Sequence, residues 1–182
     1  MVRGSSSTWR LRLSPGGDVV GITTKRSGTP VKFDAEKAAR VIGAFVPGAI
    51  LLRTDKGIST TGQAFAAYST RYRRQLQLMG EDQKVDLRLA PPQMMTSVKV
   101  RGKRITSNGV EVVIAPGTGT SPQVTPRDGK ARQTGKRGPP HNVLGYWIHH
   151  GTATMPARPF MGLTREQEAE LNRLLGKARV FG

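Results

Sequence analysis

The stretch Asp34-Ala35-Glu36-Lys37-Ala38-Ala39-Arg40-Val41-Ile42-Gly43-Ala44-Phe45-Val46-Pro47-Gly48-Ala49-Ile50-Leu51-Leu52 sets Ala35, Ala38, Val41, Ile42, Phe45, Val46, Ala49 and Leu52 on one helix face. Asp34 is a good N-cap because its carboxylate can accept an orphan N–H of the first turn. Pro47 lacks a backbone donor and crowds the preceding turn, which predicts a kink or a break into two helices. The helix is expected to end near Lys56-Gly57. Toward the N-terminus, Trp9-Arg10-Leu11-Arg12-Leu13 alternates apolar and basic residues, and Ser14-Pro15-Gly16-Gly17 separates it from Val19-Val20-Gly21-Ile22. That pattern predicts a β-hairpin, set apart as an extension over residues 1–32 from a main domain over 33–182.

Toward the C-terminus, residues 57–70 form a polar, small-residue connection anchored by Phe65 and Tyr68, and Arg71-Tyr72-Arg73-Arg74-Gln75-Leu76 has helix-forming composition. Strand patterns follow at Val85-Asp86-Leu87-Arg88-Leu89, Met94 to Val100, Arg104-Ile105-Thr106 and Val110-Glu111-Val112-Val113-Ile114. The turn Ser107-Asn108-Gly109 closes a hairpin, so an antiparallel sheet of three or four strands is expected. Residues 116–140 hold five glycines and no aromatic residue, a composition too polar to pack, and predict a long flexible loop. His141 to His150 predicts a short helix with Gly151 as its C-cap. Thr164-Arg165-Glu166-Gln167 fits a capping box opening a last helix with Ala169, Leu171, Leu174, Leu175 and Ala178. The expected class is α+β: an antiparallel sheet packed by a long kinked helix and a C-terminal helix, with an N-terminal hairpin and a basic loop.

The chain carries 29 Lys and Arg against 12 Asp and Glu, a net charge of +17 that attracts phosphate backbones, acidic proteins and anionic lipids alike. Between Asp128 and Glu166 there is no acid, while Lys130, Arg132, Lys136, Arg137, Arg158 and Arg165 lie there. This tract is either a solvated loop or a surface facing nucleic acid, and its lack of interleaved aromatics argues against a single-strand stacking platform. No apolar run approaches the length of a membrane span, and residues 1–12 lack the apolar middle of a secretory leader, so a soluble protein working where it is made is expected.

Catalytic chemistry finds little support. With no cysteine there is no thiolate site, and His141, His149 and His150 have no carboxylates nearby to complete a metal-ligand set; the last two diverge on a helix. Gly117-Thr118-Gly119-Thr120 lacks the Gly-Lys-Ser/Thr ending of a phosphate loop, and no serine lies in a Gly-x-Ser-x-Gly elbow. Glu166, Glu168 and Glu170 read as capping and solvating acids. His149 reads as a packed or hydrogen-bonded interface residue. No catalytic residue, metal or cofactor is expected.

Two tracts resemble the phage virion-morphogenesis proteins, the tail-completion or neck group of Mu-like and related tailed phages. One is Gly57-Ile58-Ser59-Thr60-Thr61-Gly62-Gln63-Ala64-Phe65-Ala66-Ala67-Tyr68-Ser69-Thr70-Arg71-Tyr72; the more specific one is His149-His150-Gly151 followed by Met155-Pro156-Ala157-Arg158-Pro159-Phe160-Met161-Gly162-Leu163-Thr164. Leu87-x-Leu89 with Met94-x-x-Ser97 stands where that group has a Leu-rich turn. The hairpin over residues 9–22, Thr61-Gly62 in place of Asp/Asn-Gly, Pro91-Pro92 before Met94 and the long basic loop depart from its pattern.

The resemblance implies a non-enzymatic virion protein that completes the tail or joins it to the head connector. It implies a homomeric ring, of six copies, around a DNA channel, with the head-completion or connector protein and the tail terminator or tail tube as partners. The place implied is the neck of the virion, and the host cytoplasm during assembly. Six copies at +17 would put roughly +100 around the channel. Arg71, Arg73, Arg74, Lys130, Arg132, Lys136 and Arg137 are the expected basic residues facing DNA or the lumen. Tyr146, Trp147, His149, Pro156, Arg158, Pro159 and Phe160 are the expected contacts with a neighbouring subunit or partner. Pro156 and Pro159 hold the tract extended, so that Arg158 and Phe160 either project to a partner or serve the protein's own fold, Phe160 as a core plug and Arg158 as a carbonyl cap. A tail terminator capping the tube, or a basic non-phage nucleic-acid-binding protein, are the alternatives.

Overall fold

The Asp34 carboxylate accepts the Lys37 backbone N–H at 2.9 Å, and the helix it opens, α1, runs over Ala35–Asp55. The computed structural model describes residues 8–13, 20–25, 34–78, 94–106, 109–117, 119–127 and 130–180. Before α1 come β1 (Thr8–Leu13) and β2 (Val20–Lys25), the expected antiparallel hairpin. After it come α2 (Thr70–Leu78), a 3-10 turn (Met95–Ser97), β3 (Lys99–Thr106), β4 (Gly109–Ala115), β5 (Thr120–Arg127), β6 (Lys130–Pro140), α3 (His141–His150) and α4 (Arg165–Lys177). The class is α+β.

Three expectations are corrected. Of the kink or break expected at Pro47, the break does not occur: α1 is one continuous helix. Ile42 and Val46 before the proline and Ala49 and Ile50 after it are all buried, so packing on one face holds the helix across the missing hydrogen bond. The strands do not form one sheet of three or four; among the described residues they form three two-stranded antiparallel ladders, β1–β2, β3–β4 and β5–β6. Finally, the tract expected as a flexible loop contains the β5–β6 ribbon, with Arg127 opposite Lys130. A polar ribbon needs no core to satisfy its backbone, and in a two-stranded ladder both strands are edges that tolerate proline; the register shifts at Pro122. The strand expected at Val85 to Leu89, and the boundary expected at residue 32, lie outside the described residues.

The chain groups into two compact units, the first drawn from Met1–Ile50, Lys99–Ala115 and Met161–Gly182 and the second from Leu51–Val98 and Pro116–Phe160. In the first, α1 meets β3 closely: a Cβ on Gly43 would stand 3.1 Å from the Val100 side chain. Val110, Val112 and Ile114 alternate into the core along β4, as the period-two pattern predicts. A bulge at Arg101 shifts the β3–β4 register, and the Arg101 side chain donates to the Ala115 carbonyl at 3.3 Å. The capping box of α4 forms in full: Thr164 Oγ1 accepts the Gln167 N–H at 3.3 Å, and Gln167 Oε1 accepts the Thr164 N–H at 3.1 Å. Gln167 Nε2 also donates to the Ala49 carbonyl at 2.9 Å, and Asp34 N–H donates to the Val180 carbonyl at 3.0 Å. These two bonds lay α4 antiparallel to α1, with Leu171 and Leu175 buried.

The second unit holds the last turn of α1, α2, the ribbon, α3 and the extended segment 151–160. Phe65, Tyr68, Leu76, Met94, Met95, Val98, Ile148 and Phe160 form its buried apolar set. The tract 57–72 is a built turn: Ile58 bridges Ala64, Ser59 N–H donates to the Gln63 carbonyl at 2.7 Å, and Gly57 and Gly62 have φ of 74° and 79°. Ser69 Oγ then accepts the Tyr72 N–H at 3.3 Å and opens α2.

Candidate functional site

The second unit brings together the 57–72 tract and residues 149–160 of the other tract that the sequence singled out. α3 ends where Gly151 donates to the Trp147 carbonyl at 2.8 Å with φ 79° and ψ 176°, a conformation that excludes a Cβ. Thr152 and Met155 then exchange backbone bonds of 2.8 and 3.3 Å, turning the chain back along α3. Arg158 N–H donates to the Ile148 carbonyl at 2.7 Å, and the Pro159 carbonyl accepts from Thr60 N–H at 2.9 Å. The strap is thereby stitched to α3 on one side and to the 57–72 turn on the other.

Arg158 is 3% exposed. Its Nε donates to the Ala66 carbonyl and its Nη2 to the Ala67 carbonyl, both at 2.8 Å, and its guanidinium lies 4.9 Å from the Tyr68 ring centre. Burial pushes the guanidinium down from its usual range, while Tyr68 and Tyr72 act in the opposite sense. Arg158→Met costs about 2 to 3 kcal/mol because two inward carbonyls lose a charged donor. Arg158→Lys regains only part of this, since an ammonium lacks the planar fork that spans both carbonyls; urea unfolding of the two variants checks the order.

Phe160 is fully buried, with His149 edge-on at 5.8 Å and Arg53 Nη2 donating to its carbonyl. Of the two roles open to them, Phe160 and Arg158 therefore serve the protein's own fold, as core plug and carbonyl cap. Arg53 escaped the sequence reading, although its helical spacing from Val46 and Ile50 puts it on the buried face. Burial takes its guanidinium down to about 10.

Burial first, then His150 and Arg53, push the His149 imidazole down from 6.5 to about 4. The unfolded chain binds this proton first as pH falls, so stability is complete above about pH 6.5 and declines through the window down to about 4. The decline amounts to about 2 kcal/mol after solvent screening. His149→Phe removes it, as parallel urea titrations at neutral and acid pH will show.

The remaining expected contacts are accessible: Tyr146 and Trp147 are 38% and 41% exposed on α3, Pro156 is exposed and Pro159 half-buried. Beside them an open groove of about 280 Å³ is lined by Tyr68, Tyr72, Leu144, Ile148, Met155 and Arg158 among others. Arg71, Arg73 and Arg74 are exposed on α2, as is Arg137 near the end of β6; Lys130, Arg132 and Lys136 lie along β6. His141 is buried at the start of α3 and His150 is exposed, and among the described residues no cluster of three His, Asp or Glu could hold a metal. Glu166 and Glu170 sit below the usual carboxylate range, held by hydrogen bonds at the α4 N-terminus and from Arg173 respectively, which suits capping better than proton transfer. Among the described residues no helix is long and apolar enough to cross a membrane.

No family model matches the chain, and no curated protein or solved structure matches it.

Proposed function

We propose that this chain is a structural subunit of a tailed-phage neck, a tail-completion or head-tail joining protein that assembles as a homomeric ring, of six copies, around a DNA channel. The observation that carries the reading is the convergence of its two family-like tracts, 57–72 and 149–164. Arg158 from one caps Ala66 and Ala67 of the other. Residues that serve a resemblance in sequence thus also serve a single constellation in space, which is what a shared fold requires. The role is assembly and binding, without catalysis or cofactor. Tyr146, Trp147 and Pro156 are the exposed members of the expected contact set, available to a neighbouring subunit, the head connector or the tail tube.

The exposed arginines of α2 suit an inward surface that meets DNA or an acidic neighbouring ring. They also favour a second reading, a basic protein that binds nucleic acid outside any virion. A tail terminator is the alternative within the virion. Light scattering of the purified protein at low and high salt, with and without tail tubes, separates these. A ring that survives high salt, or a monomer that becomes one on tubes, supports the neck role. A monomer that ignores tubes and binds DNA in a steeply salt-dependent way overturns it.

A further inference from the structure

The groove of the second unit has a buried cation in its wall. Arg158 is 3% exposed, yet its bonded partners are two carbonyls and a tyrosine ring, all formally neutral. Nε and Nη2 are committed to those carbonyls, and among the described residues Nη1 is left for a ligand. Buried charges are ordinarily paired, and here no carboxylate among the described residues does so. Asp55 is the only acid among the described residues of this unit, and it does not line the groove. Apart from Ser69 and Thr154 the rest of the lining is mainly apolar: Tyr68 and Tyr72, which meet edge-on at 4.9 Å, with Leu144, Ile148 and Met155. On α2, Arg71 and Arg73 flank Tyr72 in helical projection, and both are exposed.

We propose that this groove docks an acidic segment of a partner protein, an apolar side chain entering over Tyr72, Leu144 and Met155 with one carboxylate reaching Arg158 and further acids meeting Arg71 and Arg73. An apolar floor with a cationic wall, beside the exposed arginines of α2, fits that chemistry better than a phosphate backbone, which offers charge but nothing to fill the apolar part. The inference does not depend on the neck reading and applies to the isolated chain.

Fluorescence anisotropy tests it with a labelled acidic peptide bearing a central phenylalanine, the same peptide with glutamine for every acid, and a DNA duplex as competitor. Saturable binding of the acidic peptide is expected, weakened at least about tenfold in the glutamine peptide and in Tyr72→Ala, a loss of the size seen at interface anchors. The reversal Arg71→Glu/Arg73→Glu, at exposed positions, weakens binding and flattens its salt dependence while leaving the thermal midpoint unchanged. Equal binding of acidic and glutamine peptides overturns the proposal, as does no saturable binding of either. Displacement by duplex DNA with no effect of Tyr72→Ala also overturns it and assigns the cationic rim to nucleic acid instead.

Discussion

Phe160→Ala is expected to lower the unfolding free energy by about 3 to 5 kcal/mol, the cost of emptying a fully buried aromatic site. The ring is wholly inaccessible and packs against His149. The Arg53 bond goes to the Phe160 backbone carbonyl, so the substitution removes packing and leaves that bond available. Phe160→Leu keeps most of the volume and should cost less than half as much. Urea melts of the two variants check the ratio. Equal, small losses would mean that the residue is an outward anchor, the role set aside by its burial.

Gly151→Ala is expected to cost about 3 kcal/mol or more, from backbone strain and steric overlap together. At φ 79° an L-residue is strained, and the added Cβ would lie 2.8 Å from Ala157 N and 2.9 Å from the Met155 carbonyl oxygen. Both are backbone atoms of the strap, so relief requires the strap to leave α3. That displacement would loosen Arg158 from Ala66 and Ala67 and open the groove wall. Thermal unfolding measures the loss of stability; hydrogen exchange at Arg158 N–H, bonded to the Ile148 carbonyl, locates it. Unchanged exchange there with lowered stability would separate helix capping from strap docking.

For function, these two positions determine whether the strap is a shaped surface. Proline at 156 and 159 restricts the chain before it folds, and the bonds at Ile148, Ala66, Ala67 and Thr60 hold it afterwards. What remains outward is Tyr146, Trp147, Pro156 and the groove, a narrower contact surface than the tract alone suggests.

Local features were readable from sequence because their physics is local. The Asp34 cap, the Thr164–Gln167 capping box, the Gly151 stop and the β1–β2 hairpin each depend on residues within a few positions of one another. The α+β class follows from the same periodicities. Whether α1 would continue through Pro47 or break there was not readable, because its continuity rests on burial of the residues on either side. Nor was the β5–β6 ribbon: low hydrophobicity argues against a core, but a backbone ladder needs no core to form. The sequence alone determined the capped helix ends, the β1–β2 and β3–β4 hairpins and the residues worth watching in the 149–164 tract. Only the tertiary structure decided their direction, putting Phe160 and Arg158 inward and leaving Tyr146 and Trp147 out. The physical reason is that an extended, proline-braced strap has no periodicity of its own to declare an inner face; the carbonyls of Ala66 and Ala67, distant in the chain, supply it.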